Sequence, residues 1–178
     1  MKRICVFAGS SAGNDPAFTE RTKELGKVFA DNQIELVYGG AKSGLMGVMA
    51  DAILEKGGRV TGIMPSHLFQ KEIAHPDVTE MIEVETMHER KAKMSELADG
   101  YIALPGGFGT FEELFETVSW AQIGLHEKPL ALFNIAGYYT PLMDMIDHAI
   151  QAGFVAENNR QLILESYDPE ELVKMMKL

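Results

Sequence analysis

The sequence predicts an α/β fold in which a doubly wound parallel sheet carries helices on both faces. Short apolar runs alternate with amphipathic segments along the whole chain, which is typical of βαβ units. Runs such as residues 4–8 and 129–133 are apolar at nearly every position, as expected of strands that are buried on both faces. The 178 residues contain no internal repeat and no linker-like shift in composition. We therefore expect one Rossmann-like domain that spans residues 1–178.

The first half of the chain is predicted to supply three strands and two helices. In chain order, these are strand 4–8, helix 16–30, strand 34–38, helix 45–56 and strand 59–64. Asp15 suits the N-cap of the first helix and Pro16 suits its first position. The second helix is expected to stop at Gly57-Gly58, and Pro65 is expected to end the third strand.

The second half continues the alternation after a polar loop with a short helical piece, residues 66–78. The elements expected are strand 81–85, helix 88–98, strand 101–104, helix 111–123, strand 129–133, helix 139–152, strand 162–165 and helix 169–176. Strand 81–85 is unusual because it carries charged residues. Met94 and Leu97 give helix 88–98 an apolar face. Right-handed crossovers should join the strands.

Composition and charge exclude several classes of function. The chain has 16 Lys and Arg against 26 Asp and Glu, a formal net charge of −10. Such a surface repels nucleic acid and anionic membranes. No apolar stretch approaches the about 18 residues of a membrane span, and the apolar run at the N-terminus is too short for a signal peptide. The one cysteine, Cys5, suits a reducing cytoplasm, and the five histidines show no metal-ligand spacing.

Three glycine-rich loops, residues 9–13, 39–47 and 105–110, each follow a predicted strand. Parallel strands bring such loops together at the carboxyl edge of the sheet, where ligands bind. In residues 105–110, glycines let backbone N–H groups approach a ligand, and the helix that follows adds unpaired donors. The loop is therefore either a phosphate site or a turn that only connects strand to helix. The dinucleotide pattern Gly-x-Gly-x-x-Gly is absent from all three loops.

Two charged residues next to these loops have a structural and a functional interpretation. Thr110 and Glu113 match a capping box, which predicts that Glu113 closes the helix, although its carboxylate would also face the phosphate loop. On the pattern alone, the cap is favoured. Arg90 shares a helix face with the apolar Met94 and Leu97, and a guanidinium on a buried face needs an anionic partner or ligand.

The segments GGAKSGLMG at 39–47, MHERK at 87–91 and PGGFGTFEE at 105–113 together resemble the LOG ("Lonely Guy") family. The resemblance runs in order along nearly the whole chain, from Val6 to Phe154. It implies a cytokinin riboside 5′-monophosphate phosphoribohydrolase, which cleaves the N-glycosidic bond of N6-modified AMP, or of AMP itself. The products are the free base and ribose 5-phosphate. It also implies a homodimer, although larger assemblies occur in the family, with the helix that carries Arg90 near the interface, and it implies no cofactor.

The resemblance implies roles for individual residues. It places the essential arginine at Arg90 and the essential glutamate at Glu113, which overrides the capping interpretation. The nucleotide contacts that it implies are Glu72, Arg90, Lys91, Gly107, Phe108, Gly109, Thr110, Phe111, Glu112, Glu113 and Ser119, the last standing where the family has threonine. Arg90 is expected either to hold the phosphate or to stabilise the departing base.

Two other functions remain open at this point. One is a non-catalytic purine-nucleotide-binding module in which Arg90 and Glu113 only anchor the ligand. The other is a pyridoxal-phosphate-dependent decarboxylase, a label attached to many proteins with the Pro-Gly-Gly motif. The hydrolase is the favoured prediction, with backbone N–H groups that fix the 5′-phosphate and a carboxylate that stabilises positive charge on the ribose.

Overall fold

The computed structural model describes residues 1–68 and 74–178. Its strands are β1 (Arg3–Phe7), β2 (Glu35–Tyr38), β3 (Val60–Pro65), β4 (Glu80–Val84), β5 (Gly100–Ala103), β6 (Leu130–Phe133) and β7 (Ile163–Ser166). Its helices are α1 (Pro16–Asp31), α2 (Gly44–Leu54), α3 (Met87–Leu97), α4 (Phe108–Gln122), α5 (Thr140–Gln151) and α6 (Pro169–Met175). Short 3₁₀ turns are found at Ser66–Leu68, Ile135–Gly137 and Glu157–Leu162. Each predicted strand and helix is present, with shifted ends.

The strands form one sheet in the order β4-β3-β2-β1-β5-β6-β7, and every neighbouring pair is parallel. The chain first builds the sheet outward from β1 to β4. It then crosses back to place β5 on the other side of β1. The sheet is therefore doubly wound, as predicted, and its topological switch point lies between β1 and β5.

Two apolar layers cover the sheet, and successive residues of β1 enter different layers. Ile4 and Val6 pack with α1, α2 and α6, whereas Cys5 and Phe7 pack with α3, α4 and α5. This alternation follows from the period of two in a strand. It explains why the central strands are apolar at every position.

The ends of individual elements follow local chemistry. The carboxylate of Asp15 accepts a hydrogen bond from the backbone N–H of Ala17 at 2.9 Å, so the predicted N-cap of α1 is confirmed. Such a cap stabilises a helix by about 1 kcal/mol. Strand β4 lies at one edge of the sheet with Glu80 and Glu83 exposed, and charges of this kind oppose edge-to-edge aggregation. Within the described residues, no helix combines the length and apolarity needed to cross a membrane.

Candidate active site

The loops at the switch point are tied to one another. The Gly9 N–H donates to the Pro105 carbonyl oxygen at 3.2 Å, and the Leu45 N–H donates to the Gly9 carbonyl oxygen at 3.1 Å. A Cβ on Gly9 would lie only 3.1 Å from the Cα of Gly106, so this close approach depends on glycine. The predicted meeting of the three glycine-rich loops at one edge of the sheet is confirmed.

Helix α4 begins three residues earlier than the sequence predicts. Gly107 is its N-cap, and no side chain caps it. Thr110 therefore lies inside the first turn, with its hydroxyl in the space that a Cβ on Gly106 would need. The predicted capping box between Thr110 and Glu113 is wrong. The sequence misleads here because glycines at 107 and 109 have poor helix propensity and favour a later start.

Gly107 and Gly109 face open space. A Cβ at either position would have nothing within 4 Å, and Gly107 has φ −98°, a value that any residue adopts. Neither packing nor backbone conformation therefore requires glycine at these two positions. The uncapped start of α4 leaves N–H groups without helical partners, and its dipole favours an anion. The start of α4 therefore offers both space and hydrogen-bond donors for a phosphate.

Arg90 reaches from α3 onto the ends of two strands. Its side chain is buried; Nε donates to the Ile63 carbonyl oxygen at 3.1 Å, and Nη2 donates to the Gly39 carbonyl oxygen at 2.9 Å. Its Nη1 lies 3.8 Å from the thioether of Met87. In the described part of the chain, no carboxylate lies within 4.0 Å of the guanidinium. The carbonyls orient this buried cation without neutralising it.

Glu113 is half-buried on α4, and its carboxyl faces the same cleft as Arg90. Burial raises the pKa of Glu113 to about 7, against the opposing effect of the Arg90 charge. Glu112 raises this pKa further, and Lys91 lowers it. A carboxyl with a pKa near neutrality exists in both protonation states under physiological conditions, as a general acid or base must.

Lys91 lies between α3 and α4. Its ammonium donates to Glu112 at 2.6 Å and to Glu116 at 3.0 Å. These carboxylates, Glu112 first, raise the pKa of Lys91. The side chain does not line the cleft that holds Arg90, so its predicted nucleotide contact stays a prediction.

The remaining predicted residues fall into three groups. Phe108, Thr110 and Glu112 line the cleft, and the Phe108 ring is 92% exposed at its rim. Phe111 stacks edge-on against Phe108, and the Ser119 hydroxyl donates to the Phe115 carbonyl oxygen at 2.7 Å, away from the cleft lining. Glu72 lies outside the described residues.

The cleft has a volume of about 250 Å³ and opens between α3, α4 and the loop after β1. Several lining residues were not predicted from the sequence as individual site residues, namely Val6, Ala8, Ser10, Met46, Met87 and Met94. Their one signal was position, since most lie at a strand end or the start of a helix. A second, more apolar cavity adjoins it and shares Gly9, Ser10 and Gly107. Its other lining includes Ala12, Phe18, Leu45 and Tyr138.

The donor set of the site is not that of a metal centre. Among the residues that the structure describes, no three His, Cys, Asp or Glu side chains come together in a way that could hold a metal ion. The cleft instead combines backbone N–H groups, one guanidinium and one carboxyl of raised pKa. This arrangement suits an anionic organic ligand and proton transfer at a polar bond.

The chain is similar to known proteins over most of its length. A family model described as "Possible lysine decarboxylase" matches residues 46–176. The cytokinin riboside 5′-monophosphate phosphoribohydrolase LOG1 of Arabidopsis thaliana is 45% identical over 177 residues, covering 99% of this chain and 83% of that relative. The phosphoribohydrolase LOG of Oryza sativa subsp. japonica is 44% identical, covering 97% and 72%.

Solved structures of other proteins share this fold. The molybdenum cofactor binding protein of Rippkaea orientalis superposes with a TM-score of 0.73 at 22% identity, covering 99% of this chain and 96% of that one. This likeness concerns the fold alone. The family model covers residues 46–176 and the two relatives cover nearly the whole chain, and the chain therefore belongs to the LOG family of "possible lysine decarboxylases".

Proposed function

We propose that this protein hydrolyses the N-glycosidic bond of adenosine 5′-monophosphate or its N6-modified derivatives, releasing the free base and ribose 5-phosphate. The observation that carries this proposal is the cleft itself. A buried guanidinium and a carboxyl of raised pKa line a space that leads to an uncapped helix N-terminus with unobstructed glycines. The printed names of its relatives, cytokinin riboside 5′-monophosphate phosphoribohydrolases, support the same reaction.

The start of α4 is the proposed site of the 5′-phosphate. Its first N–H groups point out of the helix, and Gly107 and Gly109 leave room for phosphate oxygens to approach them. Thr110 adds a hydroxyl in the first turn. Binding energy gained at the phosphate then holds the scissile bond in place, although the phosphate does not react.

Glu113 is the proposed general base. It takes a proton from a water molecule as the water oxygen bonds to C1′, while the C1′–N9 bond breaks and its electron pair stays on the base. Positive charge develops on the ribose in this transition state, and a nearby carboxylate stabilises it. A pKa of about 7 lets the same group accept the proton and release it after product departure.

Arg90 is the proposed electrostatic partner of the anionic parts of the substrate. Its guanidinium is fixed by carbonyl oxygens on one side, so the charge is available on the cleft side. It can bind phosphate or stabilise the electron pair on the leaving base. In either role, the electrostatic interaction is stronger when water is excluded from the cleft.

The adjoining apolar cavity supports a substrate that carries an apolar N6 group. Phe18, Leu45 and Tyr138 line it, and it adjoins the catalytic cleft, with which it shares Gly9 and Gly107. An N6 substituent that extends into this cavity would be removed from water, and this burial of apolar surface would favour binding.

Lys91 does not suit the lysine chemistry that the family description suggests. A lysine that forms a Schiff base needs a lowered pKa, whereas the carboxylates of Glu112 and Glu116 raise the pKa of Lys91. Hydrolysis by water needs no organic cofactor. We therefore assign no cofactor to the reaction.

A homodimer in the cytoplasm completes the proposal. Helix α4 and the loop after it expose Phe108, Phe115, Ile123 and Leu125, four large apolar side chains on one element and its continuation. Surface of this kind typically marks an interface, and a second copy is the partner that we propose. Cys5 is a free, buried thiol, which suits a reducing compartment. Sedimentation of purified protein as a monomer would contradict the homodimer.

The test is release of base from purified protein. AMP and N6-isopentenyl-AMP are incubated with wild type, Arg90→Ala and Glu113→Gln, and free base and ribose 5-phosphate are separated by chromatography. Equimolar appearance of both products with wild type, and its loss in both variants, is the expected result. Tight binding of AMP with no release of base would indicate that the protein is a non-catalytic nucleotide-binding module instead.

A further inference from the structure

Two adjacent tyrosines reach from the start of α5 to the loop that precedes α4. The Tyr138 hydroxyl donates to the carbonyl oxygen of Gly106. The Tyr139 hydroxyl donates to the carbonyl oxygen of Leu104 at 2.6 Å. Both acceptors lie between β5 and the proposed phosphate site. The side chains of one short segment therefore hold this loop at two points.

The direction of the Gly106 carbonyl decides where the Gly107 N–H points. No cis peptide is present among the described residues, and in a trans peptide the C=O and N–H groups point in opposite directions. Tyr138 lies on the apolar cavity, whereas Gly107 lines both that cavity and the cleft of Arg90. A Gly106 carbonyl held toward Tyr138 therefore directs the Gly107 N–H away from the apolar cavity and into the cleft.

The ring of Tyr138 is fixed on two sides. It packs edge-on against Phe18, with ring centroids 5.9 Å apart, and against Tyr139, with centroids 5.1 Å apart. The turn before it contains two left-handed residues, Ala136 at φ 52° and Gly137 at φ 73°. An alanine in this region is strained, and such strain persists only where the surrounding structure enforces it.

We propose that Tyr138 is a positioning residue for the phosphate site: its hydroxyl orients the Gly106–Gly107 peptide so that the Gly107 N–H can donate to a phosphate oxygen. This step rests on the proposed function only in taking a 5′-phosphate as the group bound at the start of α4. Tyr138 acts through the backbone and need not touch the reacting atoms.

The test compares phosphorylated ligands with an unphosphorylated one. Tyr138→Phe removes the hydroxyl and keeps the ring with both edge contacts, and Tyr139→Phe is the matched control. Calorimetric titrations in a Glu113→Gln background, where AMP should be consumed at least about 100-fold more slowly, give Kd for AMP, ribose 5-phosphate and adenosine. We expect Tyr138→Phe to weaken AMP and ribose 5-phosphate by about 3- to 10-fold and to leave adenosine unchanged. Tyr139→Phe should lower Tm and leave all three affinities unchanged.

Several results would overturn this assignment. An equal loss for adenosine and AMP would show that Tyr138 only shapes the cavity, and no loss for any ligand would show that the hydroxyl is dispensable. The same selective loss in Tyr139→Phe would show that general loosening of the loop is enough. These titrations do not depend on turnover, so a wild type that binds AMP without cleaving it contradicts the proposed function and not this assignment.

Discussion

One nitrogen of Arg90 occupies the place where a side chain on Gly39 would begin. A Cβ on Gly39 would lie 1.9 Å from the Arg90 Nη2, and this same nitrogen donates to the Gly39 carbonyl oxygen at 2.9 Å. The guanidinium therefore sits directly on the backbone at the end of β2. Gly39 provides the space for Arg90 and also orients its charge.

Gly39→Ala should therefore displace the Arg90 guanidinium and lower activity, although Arg90 itself is unchanged. The backbone at Gly39 is not left-handed, so alanine meets no conformational strain there, and the clash falls on the guanidinium. Displacing one charge-assisted contact should lower kcat/KM for AMP by about 10- to 100-fold. Adenine release measures the effect.

A double-mutant cycle provides the control for this prediction. If Gly39→Ala acts through the guanidinium, adding it to Arg90→Ala should cause no further loss of kcat/KM. Additive losses would mean that the methyl group disturbs the cleft by another route.

Arg90→Ala should itself lower kcat/KM by about 10- to 150-fold, the value of one lost charge-assisted contact. Arg90→Lys should recover only part of this, because an ammonium cannot donate to the carbonyls of Gly39 and Ile63 in the geometry of a planar fork. Lys93→Ala is the matched control, since its ammonium pairs with Glu96 on the exposed side of the same helix. Near-native turnover in Arg90→Ala would return Arg90 to a structural role.

The sequence predicted the order of all strands and helices, because nearly every strand is a short apolar run between strong turn signals. It also selected Arg90, since a charge that shares a helix face with Met94 is conspicuous. It could not supply the partners of Arg90. The carbonyl oxygens of Gly39 and Ile63, which accept from the Arg90 side chain, belong to distant segments, and backbone acceptors leave no pattern in the sequence.

The same limit explains one wrong prediction at the start of α4 and one contact that the sequence did not predict. A Thr-x-x-Glu pattern indicates a capping box only if the threonine is the N-cap, and here the glycines at 107 and 109 hid an earlier start of the helix. The contact of Tyr138 with Gly106 spans 32 residues, and no local rule connects them. The Tyr138 contact depends on how the segment before α5 packs against the loop after β5, which only the tertiary structure shows.

The 5′-phosphate should be indispensable for turnover. Remote binding energy from the N–H groups at the start of α4 positions the scissile bond, so adenosine should be cleaved at least about 100-fold less efficiently than AMP. Measurement of kcat/KM for both substrates with one enzyme preparation tests this. Comparable values for the two would contradict a phosphate site at α4.

Glu113→Gln should lower kcat by about 100-fold or more, because glutamine keeps the shape of the side chain and loses its charge. In the wild type, activity should rise with pH through about 7 as the carboxyl ionises. Initial rates of adenine release between pH 5 and 9 give both results. Glu20→Gln, at an exposed glutamate of α1 outside the cleft, serves as the control. Full activity in Glu113→Gln would move the general base to another carboxylate.

Glu113 should also make the stability of the fold depend on pH, with a sign that follows from its pKa. Burial raises this pKa from its ordinary 4.5 to about 7, so the protonated form is favoured in the folded state. The resulting stabilisation is complete below pH 4.5 and is lost as the pH rises through 7, by about 1–3 kcal/mol. Glutamine cannot ionise, so Glu113→Gln should match the wild type in Tm at pH 4 and exceed it at pH 8. Thermal unfolding of both proteins across this range measures the difference, and a constant difference in Tm at all pH values would mean that Glu113 ionises in the fold without cost.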